Sequence, residues 1–567
     1  MTEQMIRIGN CSGFYGDRIS AVAEMLDGGE LDYLTGDYLA ELTMLILGRD
    51  RMKSPDLGYA KTFLRQMENS MGAALDKGVK IVVNAGGLNP AGLAQALRDL
   101  SGKLGVEARI AHVDGDDLID RAAELGLGAP LTANAYLGGF GIARALDAGA
   151  DIVVTGRVTD ASLVVGPATS HFGWQPTDLD RLAGSVVAGH IIECGAQATG
   201  GNYSFFEEIA DMTRLGFPIA EIAADGSSVI TKHPGTGGAV TVGTVTAQLL
   251  YEIQGPRYFG PDVTTRIDSI RLAQQGADRV EITGVRGEAP PPDLKVSLNH
   301  LAGFRNEMTM VFTGLDIEAK AALAQRQLEA LLTDRPADLI FRLVRTDQPD
   351  APTQEQASAL LHCVAKDTDP NKVGRQFSSA VVELALASYP GFTMTAPPGN
   401  GAPFGVFEPG YVAADKVEHR VTLPDGSVEI IPPSPARATL DEIADSASPA
   451  PDDWGPTTRI PLGTIAGARS GDKGGNANIG VWVTSDGRYR WLEQALTDDE
   501  IRRMLPETKD LTIHRYPLPN LRAINFVIEG ILGRGVADNV RFDPQAKGLG
   551  EWLRSRHIDV PDSLLAQ

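Results

Sequence analysis

Cysteine and positive charge are both scarce in this chain of 567 residues. Cys11, Cys194 and Cys363 are its only cysteines, and no two of them form a CxxC pair. This excludes a disulfide framework and a cysteine-rich zinc module. The chain has 51 Lys and Arg against 73 Asp and Glu, a net charge of −22 at pH 7. Because phosphate backbones and anionic lipids repel such a polyanion, we expect neither a nucleic-acid partner nor a membrane partner.

Long apolar runs and cofactor motifs are missing as well. No stretch of about 18 apolar residues occurs, so we expect no membrane-spanning helix. The first residues lack the basic segment and apolar stretch of a secretory signal, so we expect a cytoplasmic protein. No nicotinamide, flavin or pyridoxal signature is present, and we predict no cofactor.

Glycine, in contrast, is abundant. The 63 glycines make up about 11% of the chain, against a typical share of about 7%. Since apolar residues make up an ordinary 43%, the excess indicates tight turns and backbone-lined ligand loops rather than disorder.

Short apolar runs alternate with helical patterns over the first 200 residues or so, which predicts a mostly parallel sheet with crossover helices. Five of these runs end in loops of Gly with Asn, Asp, Thr or Arg. Because ligands bind at the carboxyl ends of parallel strands, we expect a site at this edge. The predicted strands are Ile6–Gly9, Leu31–Leu34, Lys80–Val83, Ala108–Ala111 and Asp151–Val154.

The remainder of the chain is predicted to be mixed α/β up to residue 430. Residues 219–222, 228–231 and 239–246 are rich in β-branched residues and favour strands. A strand (307–313), a helix (316–332) and a strand (339–344) follow. Six prolines between residues 431 and 456 predict an extended linker. Residues 457–567 predict a small two-layer α+β domain, so we place an α/β core at 1–430 before that linker.

Several motifs together resemble the acyclic terpene utilisation AtuA family. They are Asn84-Ala-Gly-Gly-Leu-Asn-Pro90, Thr155-Gly-Arg-Val-Thr-Asp160, Gly189-His-Ile-Ile-Glu-Cys-Gly195, Lys232-His-Pro-Gly-Thr-Gly-Gly238 and Gln248-Leu-Leu-Tyr-Glu-Ile-Gln-Gly-Pro256. The tail, with Ala468-Arg-Ser-Gly-Asp-Lys-Gly-Gly-Asn-Ala-Asn-Ile479, resembles the ferredoxin-like domain that follows the core in longer members. The resemblance implies a role in CoA-linked catabolism of branched acyl chains, with hydration or carbon–carbon cleavage of a thioester.

His190 and Glu193 are three residues apart, so on a helix they share a face. This HxxE spacing suits an acid/base pair or, as a second possibility, two ligands of a divalent metal. The alternative is a buried helix in which His and Glu only pair with each other.

Asp37 and Glu41 follow the second predicted strand, and two neighbouring carboxyls have pKa values that are pushed apart, as acid–base catalysis requires. The alternative is that Asp37 caps a helix and Glu41 interacts with its positive end.

Two further loops at the same edge supply candidate substrate-binding residues. Arg157 is suited to clamp a carboxylate or a CoA phosphate, and Asp160 either orients Arg157 or acts as the base. A buried Arg–Asp pair that only joins two loops is the alternative. The full set of candidates here is Asn84, Gly86, Gly87, Asn89, Thr155, Arg157 and Asp160.

Lys232 and His233 precede a glycine-rich segment between two β runs. Its amides, at Gly235, Thr236, Gly237 and Gly238, are candidates for an oxyanion pocket, with Lys232 and His233 assigned to the catalytic set. A simple hairpin turn is the alternative.

The tail carries a second segment dense in donors and glycines. Its candidates for phosphate binding or for a subunit contact are Arg469, Asp472, Lys473 and Asn476. A tight solvent-facing loop explains the glycines but not the three charged residues.

Together these patterns favour an enzyme that acts on a branched acyl-CoA or a related carboxylate by hydration, dehydration or retro-aldol cleavage. Each reaction needs proton transfer beside a carbonyl and a donor to the developing oxyanion. The alternatives are a CoA-ester-binding scaffold subunit and, with less support, a metal-dependent hydrolase. We also expect a homo-oligomer.

Overall fold

The computed structural model describes residues 5–443 and 452–565, and these include most of the strands and helices that the sequence predicts. The strands are β1 Ile6–Asn10, β2 Tyr33–Gly36, β3 Lys80–Val83, β4 Ile110–Asp114, β5 Thr132–Ala135, β6 Ile152–Thr155, β7 Pro218–Ile222, β8 Ser228–Lys232, β9 Arg257–Phe259, β10 Thr264–Arg266, β11 Arg271–Gly276, β12 Arg279–Thr283, β13 Arg286–Glu288, β14 Asp293–Thr313, β15 Asp338–Val344, β16 Ser358–Asp367, β17 Thr393–Met394, β18 Ala402–Ala413, β19 Arg420–Thr422, β20 Val428–Ile430, β21 Thr457–Pro461, β22 Gly467–Lys473, β23 Asn476–Trp482, β24 Ile513–Leu518, β25 Ala523–Ile528 and β26 His557–Pro561.

The helices are α1 Ala21–Asp27, α2 Glu41–Lys53, α3 Lys61–Lys77, α4 Pro90–Leu104, α5 Phe140–Asp147, α6 Ser162–Phe172, α7 Leu179–Ile192, α8 Val242–Leu249, α9 Ile317–Leu331, α10 Pro370–Val373, α11 Arg375–Glu383, α12 Asp486–Ala495, α13 Asp498–Met504, α14 Leu549–Ser555 and α15 Asp562–Leu565. Among the described residues, no helix is both long and apolar enough to cross a membrane.

An eleven-stranded sheet organises the N-terminal core, in the order β11-β12-β8-β7-β1-β2-β3-β6-β4-β19-β20. The five central strands β1, β2, β3, β6 and β4 are parallel to one another. Antiparallel strands flank them on both sides. The sheet is therefore mixed, and the prediction of a mostly parallel sheet holds only for its centre.

Alternation along β3 explains why both faces of this sheet are covered. Ile81 and Val83 pack with α1, α3 and α4 on one face, whereas Val82 packs with α5, α6 and α7 on the other. Successive side chains of a strand point to opposite faces, so an all-apolar run such as this one needs helices on both.

The prediction of a strand over residues 239–246 is wrong, because this segment leads into helix α8. Thr241 caps the helix: its hydroxyl accepts from the Thr244 amide, and the Thr244 hydroxyl accepts from the Thr241 amide. This reciprocal pair satisfies two helix-end donors. Val245 and Leu249, one turn apart, are buried in the core, and this packing overrides the strand propensity of Val and Thr.

The C-terminal part forms a separate four-stranded antiparallel sheet in the order β22-β23-β25-β24. Its own apolar cluster includes Ile479, Phe526 and Leu553. Residues 486–504 form two helices, α12 and α13, and Thr497 caps the second. Residues 444–451 of the predicted linker lie outside the described residues. In its described part, Arg437 donates to the carbonyl of Pro291.

The chain divides into two compact units, the first made of Met1–Asn299 and Phe407–Gln567, and the second of His300–Val406. The second unit contains an antiparallel sheet in which β16 lies between β15 and β14. Helices α9 and α11 pack on this sheet through Leu328, Phe377 and Val381.

Gly86, one of the predicted site residues, lies where the loop after β3 meets the end of β6. A Cβ at this position would lie 2.4 Å from the carbonyl oxygen of Thr155 and 2.7 Å from Cα of Pro90, both backbone atoms. We expect Gly86→Ala to lower the free energy of unfolding by roughly 1–3 kcal/mol, measured by urea denaturation. Gly102→Ala is the matched control: it lies inside α4 with no atom within 4 Å of its added Cβ, and should stabilise by up to about 1 kcal/mol. Equal effects of the two substitutions would contradict this packing.

Candidate active site

Asp37 and Asn84 meet at the carboxyl ends of the adjacent parallel strands β2 and β3. Asn84 Nδ2 donates to Asp37 Oδ1 at 2.5 Å, and the amide of Leu39 donates to the same oxygen at 3.0 Å. Burial and the nearby charge of Asp160 raise the pKa of Asp37 well above its usual value, although Arg157 and Asn84 oppose this. Burial and the charge of Asp160 therefore favour the protonated form of Asp37.

Arg157, which is buried, and Asp160, which is partly exposed, form an ion pair in the loop after β6. Arg157 Nη2 donates to Asp160 Oδ1 at 2.8 Å, and the Arg157 side chain is 4% exposed. The guanidinium also lies over the ring of Tyr136, 4.4 Å from its centroid. This stacking fixes the plane of the guanidinium and stabilises its charge away from water.

Asp116, in the loop after β4, holds the backbone of this arginine. Asp116 Oδ2 accepts from the Arg157 amide at 2.8 Å and from Asn134 Nδ2 at 2.7 Å. Burial raises the pKa of Asp116 to about 7. Asp116 also lines an open cavity of about 180 Å³, together with residues 87–91, 114, 115 and 117 and Arg420.

His190 and Glu193 lie at the C-terminal end of α7 and form a buried pair. His190 Nδ1 and Glu193 Oε1 are 3.3 Å apart. Burial, followed by the charge of Lys473, lowers the pKa of His190 to about 4. Burial, Asp160 and Glu252 raise the pKa of Glu193 well above its usual value. Burial therefore favours the uncharged form of each residue of the pair.

One side-chain atom of each residue in this pair lacks a hydrogen-bond partner. Among the described residues, neither His190 Nε2 nor Glu193 Oε2 has one, although both atoms are buried. Because buried polar atoms are normally satisfied, these two atoms make the pair a candidate place for a ligand group.

Asp37, Arg157, Asp160, His190 and Glu193, here called the acid–base cluster, interact with one another through their charges. The charge of Asp160 raises the pKa of both Asp37 and Glu193, and that of Arg157 lowers both. The structure thus brings three of the sequence-predicted groups together: the loop after β2, the loop after β6 and the end of α7.

Lys473, from the C-terminal sheet, joins this group, because its charge acts on both His190 and Glu193. The other tail candidates have different surroundings. Arg469 lies over the ring of Tyr251, 4.1 Å from its centroid, and donates to Gln197. Asn476 accepts from the Gly530 amide, and Asp472 lies opposite Ala477 in the β22–β23 pair.

Four candidates of the sheet edge have local structural contacts, and one is only partly described. Asn89 caps α4 by accepting from the Gly92 amide. Gly87 has a positive φ of 54°, and Gly86 lies against Thr155 as described above. The Thr155 hydroxyl donates to the carbonyl of Gly156. Glu41 begins α2, but its side chain lies outside the described set.

The segment 232–238 forms a turn in which several polar groups have partners, whereas the buried Nδ1 of His233 has no hydrogen-bond partner among the described residues. Lys232 Nζ donates to the carbonyl of Thr236 at 2.7 Å and pairs with Asp278 at 3.1 Å. His233 Nε2 contacts the carbonyl of Met25 at 2.9 Å. Gly235 and Gly238 have positive φ, the Gly238 amide donates to Asp211, and the Gly237 carbonyl accepts from Gly216. The contacts described for this segment do not include the acid–base cluster.

Sequence reasoning missed Asp116, Tyr251 and Glu252. Asp116 follows β4 in a Gly-Asp-Asp loop of the same type as the other strand ends, and that signal would have found it. Tyr251 and Glu252 lie just after α8, where no spacing indicated chemistry. In the described parts of the chain, no group of three or more His, Cys, Asp or Glu is arranged to hold a metal ion.

The fold and the cluster define a mixed α/β protein with a buried acid–base centre and a C-terminal α+β domain. The family model of the acyclic terpene utilisation family protein AtuA matches residues 6–423, and that of the AtuA ferredoxin-like domain matches residues 460–559. The chain therefore belongs to the AtuA family and has a ferredoxin-like domain at its C-terminus, which confirms the resemblance seen in its motifs. No curated protein and no solved structure matches the chain significantly.

The pKa of Asp116 gives a pH dependence that can be measured. Its folded value of about 7 lies above its ordinary value of 3.8, so between these pH values the folded state holds a proton that the unfolded state has lost. Unfolding free energy therefore falls as pH rises through this window, by on the order of 4 kcal/mol from this group. Asp116→Asn keeps an acceptor for both bonds and removes the ionisation. We expect its urea unfolding free energy to fall less than that of wild type between pH 5 and 8.

The control for this series is Asp120→Asn, which alters an exposed aspartate four residues further on. Its pH profile should match that of wild type. A profile of Asp116→Asn that also matches wild type would show that Asp116 does not titrate in this window.

Proposed function

We propose that this protein is an enzyme of branched acyl catabolism that transfers a proton beside a carbonyl group. Its substrate is a branched acyl-CoA or a related carboxylate, and the reaction is hydration, dehydration or retro-aldol cleavage. The observation that carries this proposal is the buried His190–Glu193 pair, with two buried atoms that lack hydrogen-bond partners. Catalytic acids and bases often lie in environments of this kind, where burial and neighbouring charges shift their pKa values.

The roles follow from the geometry of the cluster. His190 Nε2 exchanges a proton with the substrate, while Glu193 supplies or takes up the proton at Nδ1. Asp37 accepts both of its described hydrogen bonds at Oδ1, so Oδ2 carries its proton and serves as a second acid. Arg157 provides the positive charge for an anionic substrate group or for the oxyanion that develops on the carbonyl.

Asp160 affects both the charge of Arg157 and the pKa values of the neighbouring carboxyl groups. It neutralises Arg157 through their hydrogen bond, and its own charge keeps the neighbouring carboxyls protonated. An anionic substrate that bonded to Arg157 would compete with Asp160 for the guanidinium and would couple binding to proton transfer.

The test is turnover of short and branched acyl-CoAs, followed by mass spectrometry. Hydration adds one water to the thioester, and retro-aldol cleavage yields two smaller products, so the two reactions are distinguished directly. Stabilisation by a thioester without any turnover would overturn the enzyme proposal and favour the scaffold subunit. Neither stabilisation nor turnover with any thioester or free branched acid would overturn the substrate class.

Glu193→Gln is the variant that examines the proton-transfer role. It preserves the shape of the side chain and removes its acidic proton, so we expect kcat to fall by about 10²–10⁴-fold. Glu221→Gln is the matched control, since Glu221 is also buried but pairs with Arg7 and Arg279 at another part of the sheet. The control should lose stability and keep its kcat. Similar kcat values for the two variants would remove Glu193 from the mechanism.

A further inference from the structure

Glu252 has a backbone conformation that is unusual for its residue type. It lies three residues beyond the end of α8 and has φ = +57°. Left-handed residues just beyond a helix are normally Gly or Asn, because a longer side chain makes this conformation costly. Four of the seven non-glycine residues with positive φ in the described chain are Asn or Asp. Non-glycine residues strained in this way cluster at active sites and ligand clamps.

Two asparagines of the C-terminal sheet hold this segment in place. Asn478, in β23, accepts from the Glu252 amide at 2.9 Å and donates to the carbonyl of Leu250 at 2.7 Å. Asn525, in β25, donates to the carbonyl of Ile253 at 3.3 Å. The two asparagine side chains also bond to each other at 2.8 Å. All five residues named here are in the first compact unit, so this clamp lies within one unit.

Two glycines of the same sheet allow the close approach. A Cβ at Gly471 would lie 2.4 Å from the ring of Tyr251 and 3.1 Å from Cγ of Glu252. A Cβ at Gly480 would lie 2.4 Å from Cβ of Leu250. The C-terminal sheet is thus shaped to lie directly against the segment that carries Glu252.

Gln248, in the last turn of α8, donates through Nε2 to the carbonyl of His190 at 3.4 Å, which places the segment that follows α8 beside the acid–base cluster. The charge of Glu252 acts on His190, Glu193 and Tyr258, and on the thiol of Cys194. Glu252 is partly exposed, whereas His190 and Glu193 are buried.

We propose that Glu252 is a positioning residue of the acid–base site, and that the C-terminal domain completes this site by holding Glu252 in its left-handed conformation. Its negative charge favours the proton-bearing state of the His190–Glu193 pair, and through that pair it sets the rate of proton transfer. The expected effect of Glu252 on turnover rests on the proposed function, whereas the placement of Glu252 does not.

The variants Glu252→Gly and Glu252→Gln separate the effect of the side-chain charge from the effect of the backbone conformation. Glycine adopts a positive φ without cost, so Glu252→Gly should unfold at the same temperature as wild type or higher. We expect both variants to lose at least tenfold in kcat, with a smaller change in KM. Asp350→Gly is the control, because it replaces another residue of positive φ, at 51°, in the second unit; it should keep full turnover. Turnover within twofold of wild type in both Glu252 variants would overturn the catalytic part of the proposal.

Alkylation of Cys194 gives a readout that does not depend on the reaction. Burial, then the charges of Glu193, Glu252, Asp37 and Asp160, raise the pKa of this thiol. Removing one of these charges increases the thiolate fraction. At pH 8 we expect iodoacetamide to modify Cys194 at least threefold faster in Glu252→Gln than in wild type, measured by mass spectrometry of its peptide.

The two readouts distinguish failure of this inference from failure of the proposed function. If wild type turns over no thioester but Cys194 responds as expected, the proposed function fails and the placement of Glu252 stands. An unchanged alkylation rate in both Glu252 variants would overturn the placement itself, whatever the turnover.

Discussion

Buried charge at one edge of a sheet is the constraint on which the site depends. The carboxyl ends of β2 and β6, together with the end of α7, bring Asp37, Asp160 and Glu193 close to a single arginine, Arg157. Ionised groups without partners are costly away from water. Asp160 pairs with Arg157, and burial together with the charge of Asp160 raises the pKa of Asp37 and of Glu193.

This distribution of charge also gives the site its chemistry. The Arg157–Asp160 ion pair alone would be enough if these residues only stabilised the loops. The His190–Glu193 pair adds two ionisable groups whose pKa values burial moves in opposite directions, and the orphaned atoms of the pair are buried. Burial thus costs stability and at the same time creates groups suited to acid–base work.

The ferredoxin-like domain contributes residues to the surroundings of the acid–base cluster. Lys473 contributes a positive charge to the His190–Glu193 pair, and the asparagine clamp fixes the segment after α8. These contacts join residues more than 200 positions apart in the chain, so the two family-model regions, 6–423 and 460–559, meet at the candidate site.

Local sequence patterns were sufficient to predict much of the N-terminal sheet. The run Ile81-Val82-Val83 is apolar on both faces, and it predicted β3 with the bounds that the structure has. The repeated polar loops after strands located the sheet edge and, with it, Asp37, Arg157 and Asp160. The helix 316–332 was also predicted closely, since its apolar spacing is regular.

Other features depend on contacts that local sequence does not contain. Residues 239–246 have the composition of a strand, but the Thr241–Thr244 cap and burial of Val245 make them helical. The conformation of Glu252 depends on Asn478, 226 residues away. The glycines after Lys232 serve a turn, and composition alone does not distinguish a turn from an anion pocket.

The most direct test of the central claim is infrared spectroscopy of the full-length protein at pH 7. A protonated carboxyl has a C=O stretching band that is distinct from those of carboxylates and of the backbone. The difference spectrum between wild type and Glu193→Gln should contain this band, lost in the variant, and the difference spectrum for Asp37→Asn should contain a second. Difference spectra that contain only carboxylate bands would show that both groups are ionised, and would contradict the uncharged site described here.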